Sequence, residues 1–489
     1  MALSYDPEAE RELADSCAER RAVDLGGRRV RADALRDALL AGTGVAQVSG
    51  ARVVGALSLD GAEVRALLRL DRCTFDERIT LEGASTLAVS ITGSTLAAGL
   101  DAATARIAGR LDLRGSVIDG RGRNAVKLVH THIEGGLRLD GARLLAPGRM
   151  ALDAGGLVMT GGVYCERGFA ARGRVSFPGA QLPGGLYMRG AHIAVEEPAA
   201  IAFDADGAVA STIRLSGGFR ADGKIRLRGT QVDDLLHLGG AELGGGLERP
   251  DADSVLMCVG ARAEALDMRF ARAPRGKVNL RNAHFARIQD DHRTWPPILQ
   301  LDGLTYDWLE EATLEPGPSP SAGRQNVATR LRWLSLTPGY FPQSYEQLAA
   351  HYRRLGHDVE ARRVLLARQR HRRTTLGPAG RIWGHLLDAT VGYGYRPWLA
   401  GLWLALLAVI GWTVFATHTP VPNKAGEGPR FNAFVYALDL LVPVGGLGQG
   451  GAWHWDQPGV QALAYALVGV GWILTTAVVA GVTRTLSRV

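Results

Sequence analysis

The chain has 489 residues, 56 of them Lys or Arg against 49 Asp or Glu, for a formal charge of +7, and 63 are glycine. Glycine at about twice its ordinary usage without a G-X-Y triplet excludes collagen, and 46 % hydrophobic residues exclude a disordered chain. All but Lys127, Lys224, Lys277 and Lys424 of the basic residues are arginine, spread along the chain, so the charge is no nucleic-acid footprint and no nucleic-acid partner is expected.

The first twenty residues are acidic-rich and helical in pattern, without the apolar core of a signal peptide, so the N-terminus is expected inside the cell. Amphipathic stretches from Pro7 to Arg21 and from Ala32 to Leu40 flank Val23-Asp24-Leu25, a helix-strand-helix cap. A repeat follows. Two apolar residues flank one polar residue, and a corner with glycine comes next, as in Leu57-Ser58-Leu59-Asp60-Gly61, Leu111-Asp112-Leu113-Arg114-Gly115 and Leu137-Arg138-Leu139-Asp140-Gly141. Adjacent copies often start 11 or 12 residues apart, as in 57, 68 and 79. Alternation over three residues predicts a very short strand with one apolar face, and the glycine supplies the turn. Such units cover their apolar faces only by stacking, so the fold predicted is mainly β, a right-handed parallel β-helix with helical caps rather than a sandwich. Asp60, Asp112 and Asp140 are read as corner residues that hydrogen-bond locally.

The repeat fades after Gly303, and the Pro- and Gly-rich run 315–323 reads as a loop. Between Tyr345 and Ala361 the spacing is helical with Gly356 at a turn, similar to one tetratricopeptide-type helix pair. It is read as a cap on the lower end of the solenoid, with protein docking as the alternative. From His351 to Arg396 ten arginines face only Asp358, Glu360 and Asp388. Positive residues beside a membrane span stay cytoplasmic, and Arg484 and Arg488 follow the second span, so both termini are placed in the cytoplasm. Arg370, Arg372, Arg373, Arg381 and Arg396 are the candidate contacts to anionic lipid headgroups.

Residues 398–417 and 460–482 are uncharged and long enough to cross a bilayer. Trp398 and Trp403 are expected near one interface, Trp453 and Trp455 near the other. The apolar insert 431–449 is too short to span and reads as a re-entrant or interfacial helix with a glycine turn. Its order resembles a pore loop, which makes Val444, Gly445, Gly446 and Gly448 the candidate pore lining. Thr390-Val391-Gly392-Tyr393-Gly394 repeats a potassium-filter string, but no span precedes it, and it is read as a bend into the first span. The chain thus divides into a cap (1–45), a solenoid (46–304), a linker with a basic helix pair (305–375) and a membrane region (376–489).

No catalytic grouping, metal site or cofactor emerges. Gly446-Leu447-Gly448-Gln449-Gly450-Gly451 matches a dinucleotide fingerprint only as a string, without its strand and acidic partner. His130 with His132, and Asp290-Asp291-His292, lack a third ligand at a suitable spacing. Cys17, Cys73, Cys165 and Cys258 stand far apart and are read as buried, reduced thiols.

Together the solenoid repeat, the Tyr345 to Arg368 helix pair, the Gly392 to Trp398 segment and the Phe431 to Gln449 insert resemble actinobacterial membrane proteins with pentapeptide-like solenoids, often labelled membrane-associated oxidoreductase. The resemblance implies a multi-pass protein of the bacterial cell membrane. The function expected is a non-enzymatic scaffold or sensor, its solenoid presented to an unknown cytoplasmic protein. The alternatives are an oligomeric ion channel built from a ring of copies, and the oxidoreductase of the label.

Overall fold

The structure is a computed structural model describing residues 5–42, 44–197, 199–245, 254–311, 327–392, 397–424, 429–442 and 446–486. It separates into two compact units, Met1–Gln347 and Leu348–Val489.

The first unit is a parallel β-solenoid of about 12 turns. On one sheet Leu68, Val89, Leu111, Leu137, Val163 and Leu186 stand in register, one per coil. On the other, Leu57, Ile79, Leu100, Val126, Leu152 and Val175 do the same. All of these are buried. The 11-residue spacing is therefore half a coil. Leu57 and Ile79 pair across one sheet, while Leu68, between them, belongs to the other. Each half coil buries two apolar side chains and turns the polar one outward, at roughly 1.5–3 kcal/mol for each large apolar side chain buried.

The corners explain the glycines. In one column Gly61, Gly83, Thr104 and His130 all adopt left-handed backbone, with φ of +64°, +64°, +56° and +53°. Each donates its N–H to the carbonyl just before its counterpart in the next coil, as from Gly61 to Glu82 and from Gly83 to Ala103. Glycine takes this conformation without steric cost, so it dominates the corner. Asp60 and Asp140 stand immediately before such corners and accept from the N–H of Glu82 and Glu166 in the following coil, at 2.9 and 3.2 Å. Asp112 is not a corner residue: it lies on a strand, outward between two leucines, and accepts from Arg114.

Helices cover both ends of the stack. Helix α1 (Pro7–Ala18) starts on Pro7, capped by Asp6, whose carboxylate accepts from the N–H of Glu8 and Ala9. It packs with α2 (Ala32–Ala41), burying Ala9, Leu13, Leu35 and Leu39, and the intervening strands Ala22–Asp24 and Arg29–Arg31 pair with the first coil. At the other end, α3 (Val327–Ser335) and the start of α4 (Pro342–Arg354) finish the last coil. An exposed edge would leave its backbone groups unpaired. Here side chains take them: Thr337 donates to the Leu299 carbonyl, Ser344 to Leu301, and Gln343 both donates to Leu304 and accepts from Gly303. A fully buried ion pair pins this cap. Arg330 donates both terminal nitrogens to the Asp290 carboxylate at 2.7 and 2.9 Å, and Trp295 donates to the same group at 3.0 Å.

In the second unit, Gly356 at φ +75° links α4 to α5 (Asp358–Thr374). Helix α6 (Pro378–Val391) follows. Then come α7 (Pro397–Ala416), α8 (Ala433–Leu441) and α9 (Pro458–Leu486). A two-strand antiparallel pair, Val421–Pro422 with Trp453–His454, lies between them.

Candidate functional site

The solenoid presents two long outer faces whose side chains are set by the outward residue of each strand. On one face these residues run Asp112, Arg138, Tyr164, Tyr187, Arg214, His237 and Asp267 in successive coils. The two tyrosine rings stack at 5.0 Å and 6°, and the Arg138 guanidinium lies 4.7 Å over Tyr164 while Arg214 lies 6.0 Å over Tyr187. The rings lie flat because Gly162 and Gly185 are beneath them, where a Cβ would come within about 3.1 Å of either ring. Cation–π contacts at half-buried positions contribute about 0.5–2 kcal/mol. At the end of the ladder His237 and Arg269 both reach Asp267, at 3.2 and 2.5 Å. Burial opposes ionisation of Asp267, but hydrogen bonds from Arg269 and His237 outweigh it and hold the carboxyl well below its usual range.

The second unit carries the apolar surface. Helices α7 and α9 are each long and apolar enough to cross a membrane. Their large side chains point away from the unit's own core: Trp398 is 64 % exposed, Leu402 59 % and Ile473 69 %. Between them α8 packs on small residues. A Cβ at Gly411 would lie 3.0 Å from Ala437 Cβ, and one at Gly471 would lie 2.7 Å from Leu441 Cα and closer still to its carbonyl. Phe415, Tyr436 and Trp455 form the centre of this packing, with Trp455 stacked on Phe415 at 5.1 Å and donating to the Tyr436 hydroxyl. Trp455 is thus a core ring and not a headgroup ring, since its indole N–H finds a partner inside the unit.

The glycine turn after α8 closes on Asp439. Its carboxylate accepts from the backbone N–H of Leu447, Gln449 and Gly450. Gln449, buried, ties the turn to the start of α8 by donating to the Arg430 carbonyl and accepting from the Asn432 N–H. Of the candidate pore residues, Gly446 and Gly448 belong to this turn, Gly448 at φ +76°, while Val444 and Gly445 lie outside the described residues.

Comparison with protein-family models, with curated proteins and with solved structures returns no match. The chain's own geometry therefore carries the functional reading.

Among the headgroup candidates, Arg370 and Arg373 both pair with Asp388, at 3.0 and 3.3 Å. Arg381 donates to the carbonyls of Thr374 and Leu376, finishing the end of α5. Arg372 is exposed, and Arg396 lies outside the described residues. The second half of the filter-like string, Tyr393 and Gly394, is likewise outside them. His130 and His132 do not share a strand: the first is a left-handed corner and the second begins the next strand. Asp290 is committed to Arg330, and Asp291 to Arg293 at 2.6 Å. Among the described residues no three His, Cys, Asp or Glu side chains are grouped as a metal would need. All four cysteines are buried, and desolvation pushes the Cys73 thiol up to about 11 and that of Cys258 up to about 12. The tyrosine stack and the Asp439 cradle escaped the sequence reading. The stack had a signal there: Tyr164 and Tyr187 hold the same place in their repeats, 23 residues apart, one coil.

Proposed function

We propose that this protein is a membrane-anchored scaffold or sensor, its β-solenoid held at a bacterial cell membrane by α7 and α9 and offered to a cytoplasmic protein partner. The observation that carries the reading is the outward apolar surface of α7 and α9, which water would penalise and lipid would accept. The solenoid supports the other half of it. Its core is closed and its faces are polar ladders, a surface built for docking.

The arginines of α5 and α6 support a cytoplasmic location for the N-terminal side of α7, with anionic lipids as their ligands. The turn after α8 gives a pore little support, because its N–H groups converge on Asp439. Cysteine labelling tests the anchor and its orientation together. Gly377 and Gly451 are exposed and have room for a side chain. In intact cells an impermeant maleimide is expected to label Gly451→Cys, and to label Gly377→Cys only after permeabilisation. Equal labelling of both before permeabilisation, or release of the protein from membranes by alkaline carbonate, would overturn the reading. A flavin or nicotinamide bound to the purified protein would favour the oxidoreductase label of the proteins it resembles.

A further inference from the structure

The coils are not of equal length, and the extra residues fall at one corner of the second sheet, in two adjacent coils and again between Ile193 and Phe203. On the second sheet Leu96 pairs with Ile118 and Ile118 with Leu144, while further along Leu100 pairs with Val126 and Val126 with Leu152. Three residues separate Leu96 from Leu100, but seven separate Ile118 from Val126 and seven separate Leu144 from Leu152. Two successive coils thus carry stacked insertions. Each contains a left-handed glycine followed at once by an arginine, Gly122-Arg123 and Gly148-Arg149, with glycine φ of +79° and +68°.

The first insertion is fixed in place. Arg123 N–H donates to the Gly120 carbonyl at 3.0 Å, Gly120 N–H to Leu145 at 2.8 Å and Ala125 N–H to Met150 at 3.2 Å. Arg121 reaches back to the Asp76 carbonyl, and Asn124 donates to Asp153. Together the two insertions wall a concavity of about 470 Å³, within the size range of small-molecule sites. Its lining includes Arg78, Arg123, Lys127 and Arg149, with Asp101 as the one carboxylate. Arg78 and Lys127 both lean on Asp101, at 3.5 and 3.3 Å. Arg123 and Arg149 are exposed, and no carboxylate among the described residues pairs with either. Lys127 also faces Asp153 in the next coil, so the four cations meet two carboxylates, and folding gives no return for bringing the remaining two, Arg123 and Arg149, together.

We propose that this concavity binds an anion carrying two or more phosphoryl groups, with Arg123 and Arg149 as the gripping residues and Arg78 and Lys127 supplying the field. Guanidinium forks match phosphoryl oxygens in pairs, and a surplus of two positive charges suits a diphosphate better than a single carboxylate. The backbone of the first insertion is already held in place, so the ordering cost at binding falls on the arginine side chains. The site lies wholly in the solenoid and stands whether or not α7 and α9 cross a membrane.

The test uses the full-length protein in neutral detergent at low salt, titrated calorimetrically with inorganic pyrophosphate and followed by hydrogen exchange over residues 120–127. Saturable binding with protection of that segment is expected. Arg123→Ala with Arg149→Ala should weaken it by at least about tenfold, as for lost hydrogen bonds to a charged group. The control is Arg143→Ala with Arg262→Ala, which removes the same charge from exposed strand positions and should leave the affinity within about twofold. Doping the micelles with cardiolipin, whose headgroup carries two phosphodiesters, separates the sources: protection by lipid alone assigns the phosphoryl groups to headgroups, and protection by pyrophosphate assigns them to a soluble ligand. Protection by neither, or equal weakening by both double variants, would overturn the proposal.

Discussion

The two units of this protein handle apolar side chains in opposite ways. In the solenoid Leu111, Leu137 and Leu186 are completely buried, while in α7 Leu402 and Leu406 are about half exposed. The difference follows from period. A strand of two or three residues has one inward face, which the next coil covers, and its outward residue is free to be polar. Helices α7 and α9 are apolar on every face, so no single neighbour covers them. The same residue type is therefore structural in one unit and exposed in the other.

The strongest way to break the solenoid's closure is at its end. Arg330→Leu leaves the Asp290 carboxylate buried without its cation, and a loss of about 3–5 kcal/mol is expected. Because coils stabilise only their neighbours, hydrogen exchange should rise first over residues 299–311 and only later over 57–81. Simultaneous exchange at both ends would show the cap to be dispensable.

A direct contrast of the two leucine environments comes next. Leu137→Ala should cost about 2–5 kcal/mol by cavity formation, whereas Leu402→Ala in detergent should stay within about 0.5 kcal/mol. Thermal midpoints measured on the full chain in the same detergent check both. A large loss for Leu402→Ala would mean that this side chain is covered by protein.

A smaller effect depends on pH. The folded Asp267 carboxyl ionises more readily than its unfolded counterpart, so its contribution is present at neutral pH and is lost as pH falls through and below the ordinary value of about 3.9. Asp267→Asn should cost about 1–3 kcal/mol at pH 7, and the gap from the native protein should close on acidification. A gap independent of pH would assign the loss to packing instead.

The smallest change should be a gain. Arg167 holds a left-handed corner at φ +52°, in a column where Gly141 and Gly190 hold φ of +67° and +66°. Arg167→Gly relieves that strain, partly offset by backbone entropy, and should add up to about 1 kcal/mol.

Legibility followed the range of the interaction. The repeat Leu57 to Gly61 carries its strand, its corner and its glycine within five residues, so the solenoid could be read directly. The apolar runs of α7 and α9 were equally plain. Asp112 was misplaced at a corner although the repeat itself separates the two kinds: Asp60 and Asp140 stand one residue before their glycine, Asp112 three before Gly115. Trp455 was read as a headgroup ring because nothing local reports Phe415, forty residues away, stacking on it. Asp439 belongs to the same class: it closes a turn eight to eleven residues on, where spacing offers no rule.

By itself the sequence determined the periods: two residues for the strands, half a coil for the repeat, an uninterrupted apolar face for the helices. These are local properties of backbone geometry and side-chain polarity. Only the tertiary structure decided which outward residues become neighbours, because residues one coil apart are separated by 21 to 31 positions and meet only once the coils stack. Insertions shift that count from coil to coil. The Tyr164–Tyr187 stack, the Asp290–Arg330 pin and the meeting of Arg123 with Arg149 at one concavity all arise from that stacking.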